Sequence, residues 1–335
     1  MRMSFVPIVL LGALFYFAAP CLGQDDPRIA YWSLQLENDL WGSGADRHYT
    51  HGTKFSLAPA GEAPEWLKRL GQHVPFFRPG HDRGMEFSIG QNIYTPDDIE
   101  NPDLIVDDRP YAGWLYGSVT LLGILEETAD YRVSNSFDLT FGIVGPSSLA
   151  DDIQRRWHKL IDARTPEGWD HQLHDEPGIN LTYNRVWERF GRMGESWLEF
   201  SAAPHLVGAL GNIYTYAGGG LMLRAGQNLR NDIGPPVIRP GFPGTAYFRS
   251  DQAFSAYLFA GVEGRAMLRN IFLDGNTFED SHSVDRKMAV GDFQVGAAVR
   301  WRRVRLSFTN VFRSKEFDGQ HEPSEYGAIN LTVLY

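Results

Sequence analysis

The 335-residue chain has a single cysteine, Cys21. One thiol cannot build a disulfide framework or a multi-cysteine zinc or iron–sulfur site. Long apolar runs are equally scarce. The longest, Phe5 to Ala19, spans 15 residues and is broken by Pro7 and Gly12, short of the roughly 20 residues that a membrane-spanning helix needs. Positive charge is in deficit, with 31 Lys and Arg against 41 Asp and Glu, a formal net charge of −10. That balance argues against nucleic acid as a partner, which calls for a basic surface. Lysine is missing altogether between Arg69 and Arg156.

What is present begins with a leader. Arg2, the apolar run, and the small residues Cys21 and Gly23 ahead of the polar Gln24-Asp25-Asp26 read as a secretory signal peptide over residues 1–23. Its removal takes away the only cysteine. An exported chain with no further apolar run is periplasmic, secreted or a β-barrel. The mean hydropathy of −0.29 suits either a soluble protein or a barrel whose strands interleave apolar and polar residues.

Strand periodicity favours the barrel. Ile329, Leu331, Val333 and Tyr335 alternate with Asn330 and Thr332. Phe293 to Trp301 and Phe137 to Ile143 show the same period of two. Such segments fall at 30–38, 50–58, 84–94, 111–125, 131–145, 177–190, 196–208, 212–227, 253–268, 287–301, 303–314 and 325–335. Twelve is an even number, as expected of a single-chain outer-membrane barrel, and residues 24–335 are therefore expected to form one twelve-stranded antiparallel transmembrane β-barrel. Tyr and Trp residues near strand ends (Trp32, Tyr94, Tyr111, Trp114, Tyr116, Trp197, Tyr214, Tyr216, Trp301) read as interfacial girdles. A soluble β-sandwich explains the alternation equally well, but not the even dozen.

One segment breaks the pattern. After Pro146-Ser147-Ser148, the residues Leu149, Ile153, Trp157 and Leu160 share a helical face, with Ser148 placed to cap the helix and Asp151 and Asp152 in its first turn. With both termini periplasmic, the helix and the connections 39–49 and 95–110 gather on one extracellular rim. The connection 59–83 is long for a periplasmic turn.

The rim carries candidate chemistry. Gln154 and His158, four residues apart on one helical face, can address one substrate group together, and imidazole is a suitable general base near neutral pH; a surface helix can equally hold such a pair by chance. Asp39 is either a solvated rim carboxylate or an oxygen ligand for a hard cation such as calcium. Thr50 is a small hydroxyl placed to face the lumen or a substrate oxygen. Arg47, Arg109, Arg155, Arg156 and Lys159 form a basic rim suited to phosphates.

Glu37-Asn38-Asp39, Asp46-Arg47-x-Tyr49-Thr50-x-Gly52, Gln91-Asn92-Ile93-Tyr94-Thr95-Pro96, Asp108-Arg109-Pro110-Tyr111-Ala112-Gly113, and Gly145-Pro146 followed by Gln154-x-x-x-His158 together resemble the outer-membrane lipid A 3′-O-deacylases. The resemblance covers essentially the whole mature chain and is densest over 31–175. It implies a twelve-stranded barrel that hydrolyses the 3′-linked acyloxyacyl ester of lipopolysaccharide in a calcium-dependent reaction. In that reading His158 is the general base that activates water, Gln154 places it or the substrate, Asn38, Asp39 and Thr50 line the site, and Asp39 holds calcium. Arg47, Arg109 and Arg155 would contact the glucosamine phosphates, and the enzyme would act as a monomer in the outer membrane.

The sequence departs from the family pattern in two places. Asn101 stands near where the family carries a Lys, so Arg109 is the candidate replacement charge. The family's Glu and Tyr after the His are replaced by the stretch Asp162 to Glu167. The alternatives are an outer-membrane phospholipase with a Ser nucleophile and a non-catalytic barrel serving as a channel or structural protein.

Overall fold

The computed structural model describes residues 30–41, 48–59, 65, 69, 82–192, 197–232 and 253–335. The leader 1–23, most of the connection 59–83, and Arg47 lie outside them. The chain forms twelve antiparallel strands: β1 (Tyr31–Asn38), β2 (His48–Ala58), β3 (Asp82–Thr95), β4 (Ala112–Glu127), β5 (Tyr131–Val144), β6 (Glu176–Arg192), β7 (Glu199–Gly211), β8 (Tyr214–Gln227), β9 (Phe254–Asn270), β10 (Ala289–Trp301), β11 (Val304–Arg313) and β12 (Ser324–Leu334). Each strand pairs with its sequence neighbours, and β1 closes on β12. All twelve predicted segments are strands, their bounds within three residues of expectation. Closure leaves no sheet edge, so every strand's backbone polar groups can be satisfied inside the membrane.

Alternation fixes two faces. Phe55, Phe87, Ile89, Phe141, Ile179 and Leu206 are large, apolar and exposed, and they mark the lipid-facing wall. Their neighbours point inward and are largely polar and buried, such as Ser56, Glu86, Ser88, Ser118, Thr120 and Asp138.

The interior is filled rather than open. Towards the end that carries the termini, Arg224, Arg305 and Tyr257 converge on Asp232, with Tyr257 donating to its carboxylate at 2.9 Å and Arg224 to its carbonyl at 3.0 Å. Higher up, Arg265 and Arg313 clasp Asp292 at 2.8 and 2.9 Å, and His205 meets Glu263 at 2.8 Å. At the opposite rim the lumen is packed with Tyr49, Tyr94, Trp114, Tyr116, Tyr214, Tyr216 and Tyr326, joined by Phe272 from a short helix (α2, Ile271–Asp274) after β9. Tyr94 stacks on Phe272 with centroids 4.1 Å apart and shares a 2.8 Å hydroxyl hydrogen bond with Tyr214.

This packing corrects the reading of the aromatics as girdles. Tyr94, Trp114, Tyr116, Tyr214 and Tyr216 are buried inside the barrel, whereas Trp197 and Trp301 are exposed. The register explains the difference, because Tyr94 pairs with Tyr49, and Trp114 with Asn92, on the inward face.

Candidate active site

The helix appears where expected, as α1 (Ala150–Ile161) in the β5–β6 connection. Ser148 does not cap it. The N-cap is Leu149, held in the left-handed region at φ 61°, while the Ser148 hydroxyl donates to the Gly145 carbonyl at 2.6 Å. Gly145, at φ +99°, makes the sharp exit from β5 that Pro146 continues. A Cβ there would fall 2.5 Å from the backbone of His174, so only glycine fits.

The helix lies on the outside of the barrel, against β3 and β4. A Cβ added at Gly113 would fall 2.1 Å from Ser148 Oγ and 2.2 Å from Ala150 Cβ. Gly113 pairs with Ile93, one residue out of phase with the inward Trp114 and Tyr94. It therefore faces away from the lumen. Gln91 shares that face and donates to the Ser148 carbonyl at 2.6 Å. Ile93, Tyr111, Ala150 and Trp169 form a small apolar cluster between wall and helix.

Parity places the other candidates on the same outer face. Asn38 pairs with His51, and His51 with Ile93. Between Tyr49, which faces in, and His51, which faces out, the register slips, and Thr50 is the extra residue of a β-bulge. Bulges re-aim side chains. Here the Thr50 hydroxyl is carried to the Thr95 hydroxyl, 2.7 Å away on the outer face of β3, and the Asn38 amide donates to the Thr50 carbonyl at 2.9 Å. Thr50 thus faces the outer wall and not the lumen. Asp39, in a single 3-10 turn after β1, is buried beside them.

From the helix side, Ala150, Gln154 and His158 form the buried stripe. His158 Nδ1 is bonded to the Arg164 carbonyl. A carbonyl only accepts, so Nδ1 carries the proton, and in the neutral ring Nε2 keeps its lone pair. Trp169 Nε1 donates to Gln154 Oε1 at 2.8 Å, which fixes the amide orientation and leaves its Nε2 as donor. That Nε2 is buried with no hydrogen-bond partner among the described residues. Such a group costs on the order of 1–3 kcal/mol if left unmade, which makes it a candidate donor to a ligand or water.

Two connections hold this geometry. Glu167 N–H donates to Ile99 O at 2.8 Å, Leu173 N–H to Tyr111 O at 2.9 Å, and the Tyr111 hydroxyl to Ile99 O at 3.1 Å. Asp108 accepts from the backbone N–H groups of Asp97 and Arg109, both at 2.7 Å. Burial nevertheless pushes its carboxyl above the ordinary range, against the pull of those two bonds and of Arg109.

The predicted arginines separate. Arg109 is buried at the lumen mouth, its guanidinium 5.2 Å from the Tyr94 ring centroid and Nη1 3.6 Å from Glu316. It is engaged with inner-face residues, and its burial keeps it from an open rim for phosphates. Arg155 stays at the site's border, bound to Asp151 and 3.6 Å from Glu167. Partial burial lowers its pKa, but the hydrogen bond and charge of Asp151, with Glu167, outweigh this and hold it above its usual value. Asn101 accepts from the Asp103 N–H at 2.9 Å. Trp169, which sets the Gln154 amide, was not signalled by the sequence. Gln91, Thr95 and Gly113 stood inside recognisable motifs without an assigned role.

A family model described as outer membrane protein LpxR matches residues 9–335. The chain belongs to the LpxR family. Among solved structures, LpxR from Salmonella typhimurium superposes with a TM-score of 0.72 at 20% identity, covering 91% of this chain and 100% of that one. This likeness is one of fold, the closed twelve-stranded barrel. The β domain of the Bordetella autotransporter BrkA is more distant, with a TM-score of 0.46 at 10% identity over 92% of this chain and 100% of that one. No curated protein sequence matches the chain.

Proposed function

We propose that the chain is a calcium-dependent lipid A 3′-O-deacylase of the outer membrane, with His158 as the general base. Membership of the LpxR family supports the coarser part, a lipid A deacylase in that membrane. The observation that carries the finer part is the location of His158 and Gln154, buried between α1 and the outer wall of the barrel. A lipid whose acyl chains already lie against that wall reaches such a site sideways, without entering the lumen.

In this reading a water molecule bound between His158 Nε2 and the ester gives a proton to Nε2 as its oxygen attacks the acyl carbonyl carbon. The Arg164 carbonyl steadies the imidazolium that forms, because it already accepts from Nδ1. The unoccupied N–H of Gln154 stabilises the oxyanion or orients the ester. On collapse, His158 returns the proton to the departing sugar oxygen. Trp169 is a positioning residue that sets which end of Gln154 faces the substrate.

No cluster of three His, Cys, Asp or Glu occurs among the described residues. Asp39, the side-chain oxygen of Asn38, and the Thr50 and Thr95 hydroxyls nevertheless make an all-oxygen set with one full negative charge, which suits a hard cation completed by water or substrate oxygens. Asp39 and Asn38 would hold it, and it would polarise the ester carbonyl.

The phospholipase reading loses support because Ser147 and Ser148, beside the helix, are engaged with Asp175 and with the Gly145 carbonyl. The channel reading loses support from the packed lumen. The deciding experiment is mass spectrometry of lipid A from cells producing the wild type, His158→Ala or Asp39→Ala. Loss of the 3′ acyloxyacyl mass in the wild type alone is expected, and three identical spectra would refute the assignment.

A further inference from the structure

Helix α1 carries a second stripe that the proposed chemistry does not use. Leu149, at its N-cap, and Ile153, Trp157 and Leu160 are between 42 and 73% exposed. This is the apolar face visible in the sequence, and it is not the face that packs on the barrel. At about 100° per residue, the apolar stripe lies roughly a quarter turn from the buried Ala150, Gln154 and His158. The remaining arc holds Asp151, Asp152, Arg155, Arg156 and Lys159. A helix resting against a wall with one flank apolar and the other charged has the amphipathic form of an interfacial helix, with Trp at the boundary.

We infer that α1 lies in the outer leaflet's boundary region with Ile153, Trp157 and Leu160 embedded among acyl chains, so that the membrane itself forms one side of the cleft. The partner is the lipid surface, and the observation that selects it is continuity with the lipid-facing wall. Ile89, Phe141 and Ile179 stand exposed on β3, β5 and β6, in one row linked through Gly117 by strand register. That row crosses β3 two residues from Gln91, which bonds the helix's leading turn, a separation of about 7 Å along the strand. A helix about 10 Å across seated at Gln91 and Gly113 therefore borders the apolar row directly.

The seating has a functional reason. An apolar flank at acyl depth holds Gln154 and His158 at a fixed height in the leaflet, and the charged flank stays at the headgroups. The embedding stands independently of the hydrolase assignment, since its tests read depth and not hydrolysis.

Single nitroxide labels at Ile153→Cys, Leu160→Cys, Asp152→Cys and Arg156→Cys, with Ile179→Cys as a wall reference, would be read in a Cys21→Ser background. The protein is reconstituted in phosphatidylcholine–phosphatidylglycerol vesicles. Labels at 153 and 160 are expected to collide more with oxygen than with an aqueous nickel chelate, as at 179, and those at 152 and 156 to show the reverse. An aqueous pattern at 153 and 160 would overturn the inference. As a check without cysteines, the emission difference between wild type and Trp157→Phe should be quenched by brominated acyl chains and spared by iodide. Iodide quenching alone would likewise overturn it.

Discussion

The same four strands, β1 to β4, present two unlike faces at the extracellular rim. Inside, Glu37, Tyr49, Tyr94, Trp114 and Tyr116 line the lumen, where the Tyr49 hydroxyl donates to Glu37 and Tyr94 bonds Tyr214 from across the barrel. Outside, one residue out of step, stand Asn38, Thr50, Gln91, Thr95 and Gly113, and the helix that carries Gln154 and His158 seats on this face at Gln91 and Gly113. Below the rim the usual order holds, polar within and apolar without. At the rim it is inverted: aromatic side chains close the interior, and in the proposed function the polar outer face receives a headgroup arriving from the lipid phase. Polar residues on an outer wall are costly unless covered, and α1 is the cover.

The largest break in that comparison should come from His158→Ala. If the outer face is catalytic, 3′-deacylation falls by about 10²–10⁴-fold, measured as lipid A mass change, while heat-modifiable gel mobility shows the barrel still folded. Close behind is Gly113→Val. Its side chain would occupy the space of Ser148 Oγ and Ala150 Cβ, so α1 must lift from the wall, and activity should fall by about a hundredfold with the barrel intact. Chelation should remove activity and added calcium restore it, with Asp39→Asn needing more calcium for half-maximal rate; a chelator-insensitive wild type would remove Asp39 from the metal role.

A smaller effect is expected from Trp169→Phe. It frees the Gln154 amide to turn, and the loss of one hydrogen bond of about 1 kcal/mol predicts several-fold slower hydrolysis, with Gln154→Ala slower still. The smallest effect should be on the inner face. Tyr214→Phe deletes the hydroxyl bond to Tyr94, costs about 1 kcal/mol of stability in denaturant titration, and should leave deacylation unchanged. A large activity loss there would mean that the two faces are not separate.

Much of the fold was legible because strand alternation is a local property. The twelve segments from Tyr31 to Leu334, the helix of the β5–β6 connection, and the grouping of its loop with the β1–β2 and β3–β4 connections all followed from period and count. The motifs were legible as motifs but not as parts. Gly113 reads as an ordinary small residue until α1 is seated on it. Gln91 and Thr95 alternate with Asn92 and Tyr94 like any strand residues, and nothing local says which set faces lipid. Arg109 lies in the same motif as Gly113, yet points to the lumen mouth and Glu316. Chain proximity therefore misassigned it.

By itself, the sequence determined twelve alternating strands and an amphipathic helix, and it carried the motifs of the family. Those features depend on composition and on periods of two and 3.6 residues, which neighbouring residues define among themselves. Tertiary structure alone decided on which side of the wall the candidate residues stand. Side depends on strand register, on the one-residue bulge at Thr50 that turns a hydroxyl outward, and on a helix docking across more than thirty residues of intervening chain onto a glycine. The apolar stripe of α1 could not be read as core or as membrane face until its other stripe was seen to be the one buried.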